Sequence, residues 1–324
     1  GAIYQLPLSD ILERLVIGYL QDVQKQYRAF WQQHITSLET DSPPLPQPVR
    51  QLVYADWFQE LQPQRNNQQA EKTENTENNE TQAKSYDSLQ AILQQLHDPE
   101  ISKRLHQKGF VLIGEPGAGK TVALRHVAAV TANQIGAQSS YIPIYLPLNQ
   151  YAGETDLTTF ISNSLRQQHL PASYAKLAEH FPQILPHQQC LLLLDGYNEI
   201  GESVVDKTGH RRAFLRALQQ FLAKYHVQFV LSSRENFASD LTGYRTVTIR
   251  PLSQLGIEQC LQLYAPEFAA GILQQLTRQP DLYHLVTNPF RAKAMAQIYA
   301  PNNALPTTAV GLYREFVSHL IHRE

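Results

Sequence analysis

The segment Gly114–Thr121, GEPGAGKT, carries the residue types that a polyphosphate site needs. The apolar run Phe110–Ile113 precedes it and the helix-patterned stretch VALRHVAAV follows it, which predicts a strand, a loop and a helix. Glycines let backbone N–H groups approach a polyphosphate closely and adopt positive φ, while the start of a helix adds its positive dipole end. The segment therefore predicts a nucleotide-binding phosphate loop.

Within this loop, two side chains have specific expected roles. Lys120 would reach the β- and γ-phosphates of ATP, and the Thr121 hydroxyl would ligate Mg²⁺. The full set of expected nucleotide contacts in the loop is Gly114, Glu115, Pro116, Gly117, Ala118, Gly119, Lys120, Thr121 and Val122.

A second polar feature follows the apolar run in CLLLLDGYNE, which delivers Asp195 to the end of a predicted strand. Downstream of a phosphate loop, such a carboxylate indicates the magnesium site beside Thr121. Glu199 lies four residues on, where it could orient or deprotonate the water that attacks the γ-phosphate. The alternative for Glu199 is a solvated turn residue.

A third polar feature is Arg234 in FVLSSRENF, just beyond another predicted strand. A guanidinium at this position suits multidentate contact with a γ-phosphate. The alternative is a surface arginine paired with Glu235 or Asp240.

The elements that must position these groups alternate between strands and helices. The predicted strands are Phe110–Ile113, Tyr141–Leu146, Cys190–Leu194, Gln228–Leu231 and Thr246–Ile249, with a helix predicted ahead of them over Leu89–Leu105. This pattern predicts an α/β fold with a parallel five-stranded sheet flanked by helices. Because ligands of such sheets bind beyond the carboxyl ends of the strands, the three polar features should converge at one edge.

The N-terminal part of the chain differs in composition from this body. Helical spacing after Ser9 and again over Val53–Leu61 predicts a helical region in residues 1–61. Residues 62–86 are almost wholly polar and predict a disordered linker, because they cannot offset their ordering entropy. The nucleotide-binding core is then expected over residues 87–251 and a helical domain over residues 252–300.

Composition narrows the classes of partner. The chain has 324 residues, 43% of them hydrophobic, with a formal net charge of −2, so neither nucleic acid nor anionic lipid is an expected partner. Cys190 and Cys260 lie in apolar patterns without metal-ligand spacing, and no apolar run reaches the roughly 18 residues of a membrane span. We expect a cytoplasmic protein. A first residue other than Met and an end within a helical pattern suggest a fragment of a longer polypeptide.

With these segments combined, the chain resembles the NACHT family of STAND P-loop NTPases, which are related to AAA+ proteins. The resemblance rests on GEPGAGKT, LLLLDGYNE, the SSRE segment and TNPFRAKAMAQIY. It implies that Pro289 contacts the nucleotide, whereas the local sequence equally allows an ordinary helix start capped by Asn288. It also implies that residues 301–324 open a winged-helix domain, whose phosphate-contacting histidine would lie beyond residue 324.

The resemblance implies a signalling ATPase. Such a protein binds Mg-ATP, hydrolyses it slowly to ADP and changes from a closed to an oligomeric state in response to a trigger ligand, in bacterial innate immunity or antiviral defence. Asn198 departs from the family, which usually has Asp there, so hydrolysis would be slow or rest on Glu199. ATP is preferred over GTP because no guanine-reading Asn-Lys-x-Asp segment follows. The alternatives are an AAA+ motor acting on nucleic acid or protein, and a nucleotide-bound scaffold that does not hydrolyse.

Overall fold

The computed structural model describes most of the chain from residue 108 onward and shorter parts before it. The described residues are 10–35, 58–61, 85–86, 92–93, 108–134, 141–154, 156–167, 169–186, 188–201 and 209–321.

A seven-stranded sheet forms the centre of the described structure. Its strands are β1 (Phe58–Leu61), β2 (Ser85–Tyr86), β3 (Gly109–Ile113), β4 (Tyr141–Pro147), β5 (Gln189–Asp195), β6 (Val227–Ser233) and β7 (Arg245–Ile249). They lie in the order β2-β1-β7-β3-β6-β5-β4, and β7, β3, β6, β5 and β4 are parallel. The predicted parallel five-stranded sheet is confirmed.

The three central parallel strands, β3, β6 and β5, are buried, and their residues are largely apolar. Every residue of β3 and β6 is buried, as are the five central residues of β5. Strands of this kind are covered on both faces, as expected for a parallel sheet flanked by helices. The apolar runs thus bring the carboxyl ends of β3, β5 and β6 to one edge.

Helices flank this sheet and continue beyond it. They are α1 (Asp10–Ile35), α2 (Lys120–Gln134), α3 (Leu157–Leu165), α4 (Ala172–Ile184), α5 (Gly209–Lys224), α6 (Gln254–Tyr264), α7 (Ala269–Thr277), α8 (Pro280–Val286), α9 (Pro289–Asn302) and α10 (Ala309–Ile321). Short 3₁₀ turns cover Leu148–Gln150, Tyr197–Glu199 and Glu235–Leu241. In the described residues, no helix is long and apolar enough to cross a membrane.

Helix α1 packs against α2 and α4 through the predicted apolar stripe. Its buried residues recur at three- and four-residue steps, the spacing of one helix face: Val16, Tyr19, Leu20, Val23 and Tyr27. The Tyr19 hydroxyl donates to the Pro143 carbonyl of β4 over 2.7 Å. The N-terminal helix is therefore joined to the core by packing and by a buried hydrogen bond.

The prediction of a helix over Val53–Leu61 is wrong for residues 58–61, the part of this segment that the structure describes. Residues Phe58–Leu61 form β1, which pairs antiparallel with β7 so that Phe58 lies opposite Ile249. Pairing with a sheet edge outweighs a weak local helical pattern, because it satisfies backbone groups along the whole segment.

Part of the predicted linker is also ordered, since Ser85–Tyr86 pair with β1 as strand β2. Residues 62–84 of that linker lie outside the described residues. Of the helix predicted over Leu89–Leu105, only Ile92 and Leu93 are described, and both are helical and buried.

Helices α6 to α10 follow the last strand and pack on one another. The Asn288 side chain caps α9 by accepting a hydrogen bond from the Phe290 N–H, and Pro289 is the first helical residue. The Leu252 N–H donates to the Thr287 carbonyl over 2.7 Å, which ties the chain leaving β7 to the residue before that cap. The start of α9 is therefore fixed relative to the end of the sheet.

Candidate functional site

The loop between β3 and α2 has the backbone shape that its glycines allow. Gly117 and Gly119 have φ values of +80° and +95°, which residues other than glycine rarely adopt. Helix α2 begins at Lys120, so the N–H groups of its first turn lack partners within the helix. These groups form a concave set of donors suited to a phosphate.

Lys120 lies against this loop. Its ammonium donates to the carbonyls of Gly114 and Glu115 over 2.7 and 2.9 Å. Burial lowers the pKa of Lys120, and the nearby Asp195 carboxylate partly opposes that shift. The ammonium is thus held beside the loop by two carbonyl oxygens.

Asp195 ends β5 and accepts hydrogen bonds from three hydroxyl groups. The Thr121 and Tyr145 hydroxyls donate to Oδ2 over 2.7 and 2.8 Å, and the Ser232 hydroxyl donates to Oδ1 over 2.5 Å. The structure therefore brings together the predicted pair Thr121 and Asp195.

Tyr145 and Ser232 were not assigned roles from the sequence. Ser232 is fully buried and also accepts a hydrogen bond from the Gly196 N–H, so it fixes both the carboxylate and the turn after it. Burial raises the pKa of Tyr145 well above its ordinary value, and the Asp195 charge adds to this, so the phenol stays a donor. Tyr145 and Ser232 are both polar residues near the carboxyl end of a strand next to β5, and this pattern is the sequence signal that could have identified them.

Asn198 and Arg234 are joined by a backbone contact. Asn198 follows the left-handed turn at Gly196, where φ is +84°, and its side-chain oxygen accepts a hydrogen bond from the Arg234 N–H over 3.2 Å. Asn198 thus links the loop after β5 to the loop after β6. Its amide performs a positioning role that does not depend on charge.

Arg234 is exposed and lines an open cleft with Gly114, Glu115 and Pro116. In the described part of the chain, no carboxylate lies within 4.0 Å of it, and Asp240 instead pairs with Arg211 at 3.8 Å. The alternative of an ion pair with Glu235 or Asp240 is therefore not what the structure shows.

Glu199 is exposed in the 3₁₀ turn after Asp195. Its carboxylate and the guanidinium of Arg234 both contribute to the electrostatic surroundings of the Lys120 ammonium. The charged groups predicted from three separate segments therefore gather around the loop. A solvated turn residue and a group that orients water both fit the exposure of Glu199.

The start of α9 lies directly on the phosphate loop. The Asn288 amide donates to the Pro116 carbonyl over 3.0 Å, and the Phe290 N–H lies 3.3 Å from the Gly117 carbonyl. A Cβ atom at Gly117 would lie 2.6 Å from the Cβ of Phe290. Only a glycine at position 117 permits this approach, which is a second reason for that residue besides its positive φ.

The structure therefore places Asn288 and Phe290 in contact with the loop. Asn288 is 5% exposed, and its two amide atoms serve different partners, the loop carbonyl and the helix cap. A nucleotide contact by Pro289 stays a prediction. The sequence did indicate Asn288 as a helix cap. It could not indicate that the same side chain bonds to Pro116, which lies 172 residues earlier in the chain.

The strand, phosphate loop and helix, with Asp195 meeting Thr121 from a strand of the same parallel sheet, define a P-loop NTPase. Residues 109–267 match the family model described as the NACHT domain, and this part of the chain is a NACHT domain. Membership of this family implies nucleotide binding, typically with Mg²⁺.

Among solved structures, the chain is similar to one described as the structure of C. elegans PCH-2, with 13% identity and a TM-score of 0.33. The match covers 72% of this chain and 66% of that one, slightly less than two thirds of its length. A search of curated protein sequences gave no match.

Proposed function

We propose that this protein is a signalling NTPase that binds Mg-ATP, hydrolyses it slowly and uses the bound nucleotide to change the arrangement of its helical parts. The observation that carries this proposal is the contact between the phosphate loop and the start of α9. Because Asn288 holds a carbonyl of the loop, a change in the loop on nucleotide binding would act directly on α9. A two-state element biased by a ligand is the physical requirement for a switch.

Asp195 at the end of β5 and Thr121 at the start of α2 fit a magnesium ion. The Thr121 hydroxyl and the Asp195 carboxylate are oxygen ligands of the kind Mg²⁺ prefers, and they already lie within hydrogen-bonding distance. When bound, Mg²⁺ would neutralise charge on the phosphates. Tyr145 and Ser232 would hold the Asp195 carboxylate in position, and the Lys120 ammonium would bind phosphate oxygens in place of the two loop carbonyls.

Glu199 and Arg234 are the proposed catalytic residues beside Lys120. Glu199 would accept a proton from water or orient it, and Arg234 would contact the terminal phosphate. Asn198 adds no charge here, so we expect turnover to be slow. In line with the family resemblance, we propose that the nucleotide-dependent change leads to homo-oligomerisation in a defence response.

The experiment that tests this function is identification of the nucleotide carried by the purified chain before and after incubation with Mg-ATP. Nucleotide is released with acid and separated chromatographically, with Lys120→Ala as the defective variant and Lys176→Ala, a lysine on α4 away from the loop, as the matched control. Retained ADP in the wild type and in Lys176→Ala, but not in Lys120→Ala, supports the slow switch. Absence of nucleotide from every sample would contradict nucleotide binding itself.

A nucleotide-bound scaffold is the second candidate, and the Asn198 contact favours it. An amide that positions Arg234 through its backbone, where the family usually has a carboxylate, suits a site that holds nucleotide without turning it over. The scaffold predicts that Glu199→Gln changes nothing measurable, whereas a switch should lose turnover and retain ATP. Glu235→Gln, in the cleft that Arg234 lines, is the matched control. ATP hydrolysis that DNA stimulates many-fold would instead favour an AAA+ motor.

A further inference from the structure

A second cavity lies between helix α1 and the NACHT core. Its volume is about 220 Å³, and its walls include Tyr19 and Tyr27 of α1, Tyr145 of β4, Tyr174 of α4 and Arg125 of α2. None of the phosphate-loop residues lines it. The cavity is therefore distinct from the nucleotide site, and a ligand in it would not depend on the proposed function.

Arg125 is the cationic residue in the lining of this cavity, and it determines which charge a ligand there would carry. Its guanidinium carbon lies 4.5 Å from the centroid of the Phe30 ring and 4.7 Å from that of the Tyr145 ring, so two aromatic rings lie against the cation. Within the described ranges, no carboxylate lies within 4.0 Å of it. Its Nε atom is buried and has no hydrogen-bond acceptor among the residues that the structure describes.

Arg125 is half-buried, and a charge withdrawn from water in this way is ordinarily paired with an opposite charge, because desolvation of an unpaired ion is unfavourable. The two aromatic rings offset part of that penalty, and the Tyr145 hydroxyl also interacts with the guanidinium. In the described residues, however, no carboxylate pairs with the edge of the guanidinium that carries the N–H donors. This edge is the part of Arg125 that can bind a planar acid group in two places.

The remaining walls expose more apolar than polar surface, although the glutamines Gln26, Gln150 and Gln167 also line the cavity. The Tyr19 hydroxyl donates to the Pro143 carbonyl, the Tyr27 hydroxyl bonds to Nδ1 of His126, and the Tyr145 hydroxyl donates to Asp195. The rings of these tyrosines therefore line the cavity while their hydroxyls are engaged elsewhere. The volume is smaller than that of a typical drug-sized pocket, so it accepts one ring with a short substituent.

We propose that this cavity binds a small aromatic acid, with its anionic group on Arg125 and its ring against the tyrosines. The bound acid would also touch the ring of Tyr145, whose hydroxyl holds Asp195. A ligand in this position lies between the N-terminal helix and the residues of the predicted magnesium site. The site is thus a second binding site of the chain, separate from that of the nucleotide.

The test uses benzoate as the probe and benzyl alcohol as its neutral counterpart, with binding to the full chain followed by saturation-transfer NMR and calorimetry. Saturable binding of benzoate in the millimolar range, about tenfold tighter than that of benzyl alcohol, is the expected result. Binding should persist in saturating Mg-ADP, because the two sites share none of the loop residues.

Two variants test the location of the site. Arg125→Gln removes the charge, and Leu170→Trp narrows the cavity from its edge while leaving Arg125 in place. Both variants should lose benzoate binding. If circular dichroism shows that Arg125→Gln is unfolded, the result with Leu170→Trp decides whether benzoate binds in this cavity. Equal affinity for benzoate and benzyl alcohol, displacement of benzoate by Mg-ADP, unchanged binding in the folded variants, or no saturable binding would each overturn the proposal.

Discussion

The side-chain amide of Asn288 donates to the carbonyl of Pro116 across 3.0 Å, and this bond joins a helix cap in the C-terminal part of the chain to the phosphate loop. The same side chain accepts from the Phe290 N–H, so a single residue both begins α9 and holds the loop. Because the bond is made to a carbonyl of the loop and not to an N–H, it shapes the loop without using its phosphate donors.

Replacement of Asn288 by serine should separate these two roles. Serine keeps an oxygen that caps the helix but is too short to donate to Pro116, so the free energy of unfolding should fall by about 1 kcal/mol, the value of one ordinary hydrogen bond. ADP affinity should also fall, about fivefold, because the loop is no longer held in shape. Calorimetric titration with Mg-ADP measures the affinity.

The control for this prediction is Ser253→Ala, which removes the cap of α6. It should lower the free energy of unfolding by about 1 kcal/mol and leave ADP affinity unchanged. If both variants weaken ADP binding equally, the effect of Asn288 is one of general stability.

Gly117 and Gly119 should respond differently to alanine. In the described part of the chain, a Cβ at Gly119 has no neighbour within 4 Å. Gly119→Ala should therefore lower the free energy of unfolding only by the strain of the positive φ, about 1–2 kcal/mol. Gly117→Ala has the same backbone strain, and its new Cβ atom also collides with the Cβ of Phe290. The decrease in the free energy of unfolding should therefore be larger for Gly117→Ala than for Gly119→Ala. Urea unfolding of nucleotide-free protein compares them. Equal losses would show that α9 moves away from the loop at no measurable free energy.

Ser232→Ala should be more destabilising than Ser233→Ala, although both serines are fully buried. Ser232 serves Asp195 and the Gly196 N–H, and its removal leaves that buried donor unsatisfied, at about 1–3 kcal/mol. Among the described residues, the Ser233 hydroxyl makes one hydrogen bond, to the neighbouring Arg234 carbonyl over 3.2 Å. Ser233→Ala should therefore lower the free energy of unfolding by nearer 1 kcal/mol. Thermal and urea unfolding measure the difference, and a reversed order would contradict the assigned hydrogen bonds.

The lowered pKa of Lys120 predicts a pH-dependent difference between the wild type and Lys120→Met. Because burial holds the folded-state pKa below the ordinary 10.5, the charged ammonium destabilises the nucleotide-free fold at neutral pH. That penalty fades as pH rises through the folded-state pKa towards 10.5. The stability of the wild type relative to Lys120→Met should therefore rise over this window. Urea unfolding of both proteins from about pH 7 to the ordinary lysine pKa tests the slope, and a constant difference would contradict it.

Local patterns were sufficient for the parallel sheet and the phosphate loop. The runs ending at Ile113, Leu146, Leu194 and Leu231 are largely apolar, and each forms a strand with a buried centre. The run ending at Ile249 alternates threonine with apolar residues, and in its strand Val247 and Ile249 are buried. Glycine spacing and the following helix located the loop, because positive φ and free N–H groups are local requirements. Strand β1 was missed since its formation depends on an edge of β7, which no local pattern reveals.

The sequence by itself determined the chemical groups of the predicted site. The phosphate loop with its lysine, and the carboxylate at the end of an apolar strand, are each specified by a short local pattern of residues. Only the tertiary structure decided which groups surround them. Tyr145 and Ser232 reach Asp195 because strand order places β4 and β6 on either side of β5. Asn288 reaches Pro116 because helix packing returns the chain to the loop. Such contacts depend on which surfaces meet, and that follows from burial of the whole core rather than from local spacing.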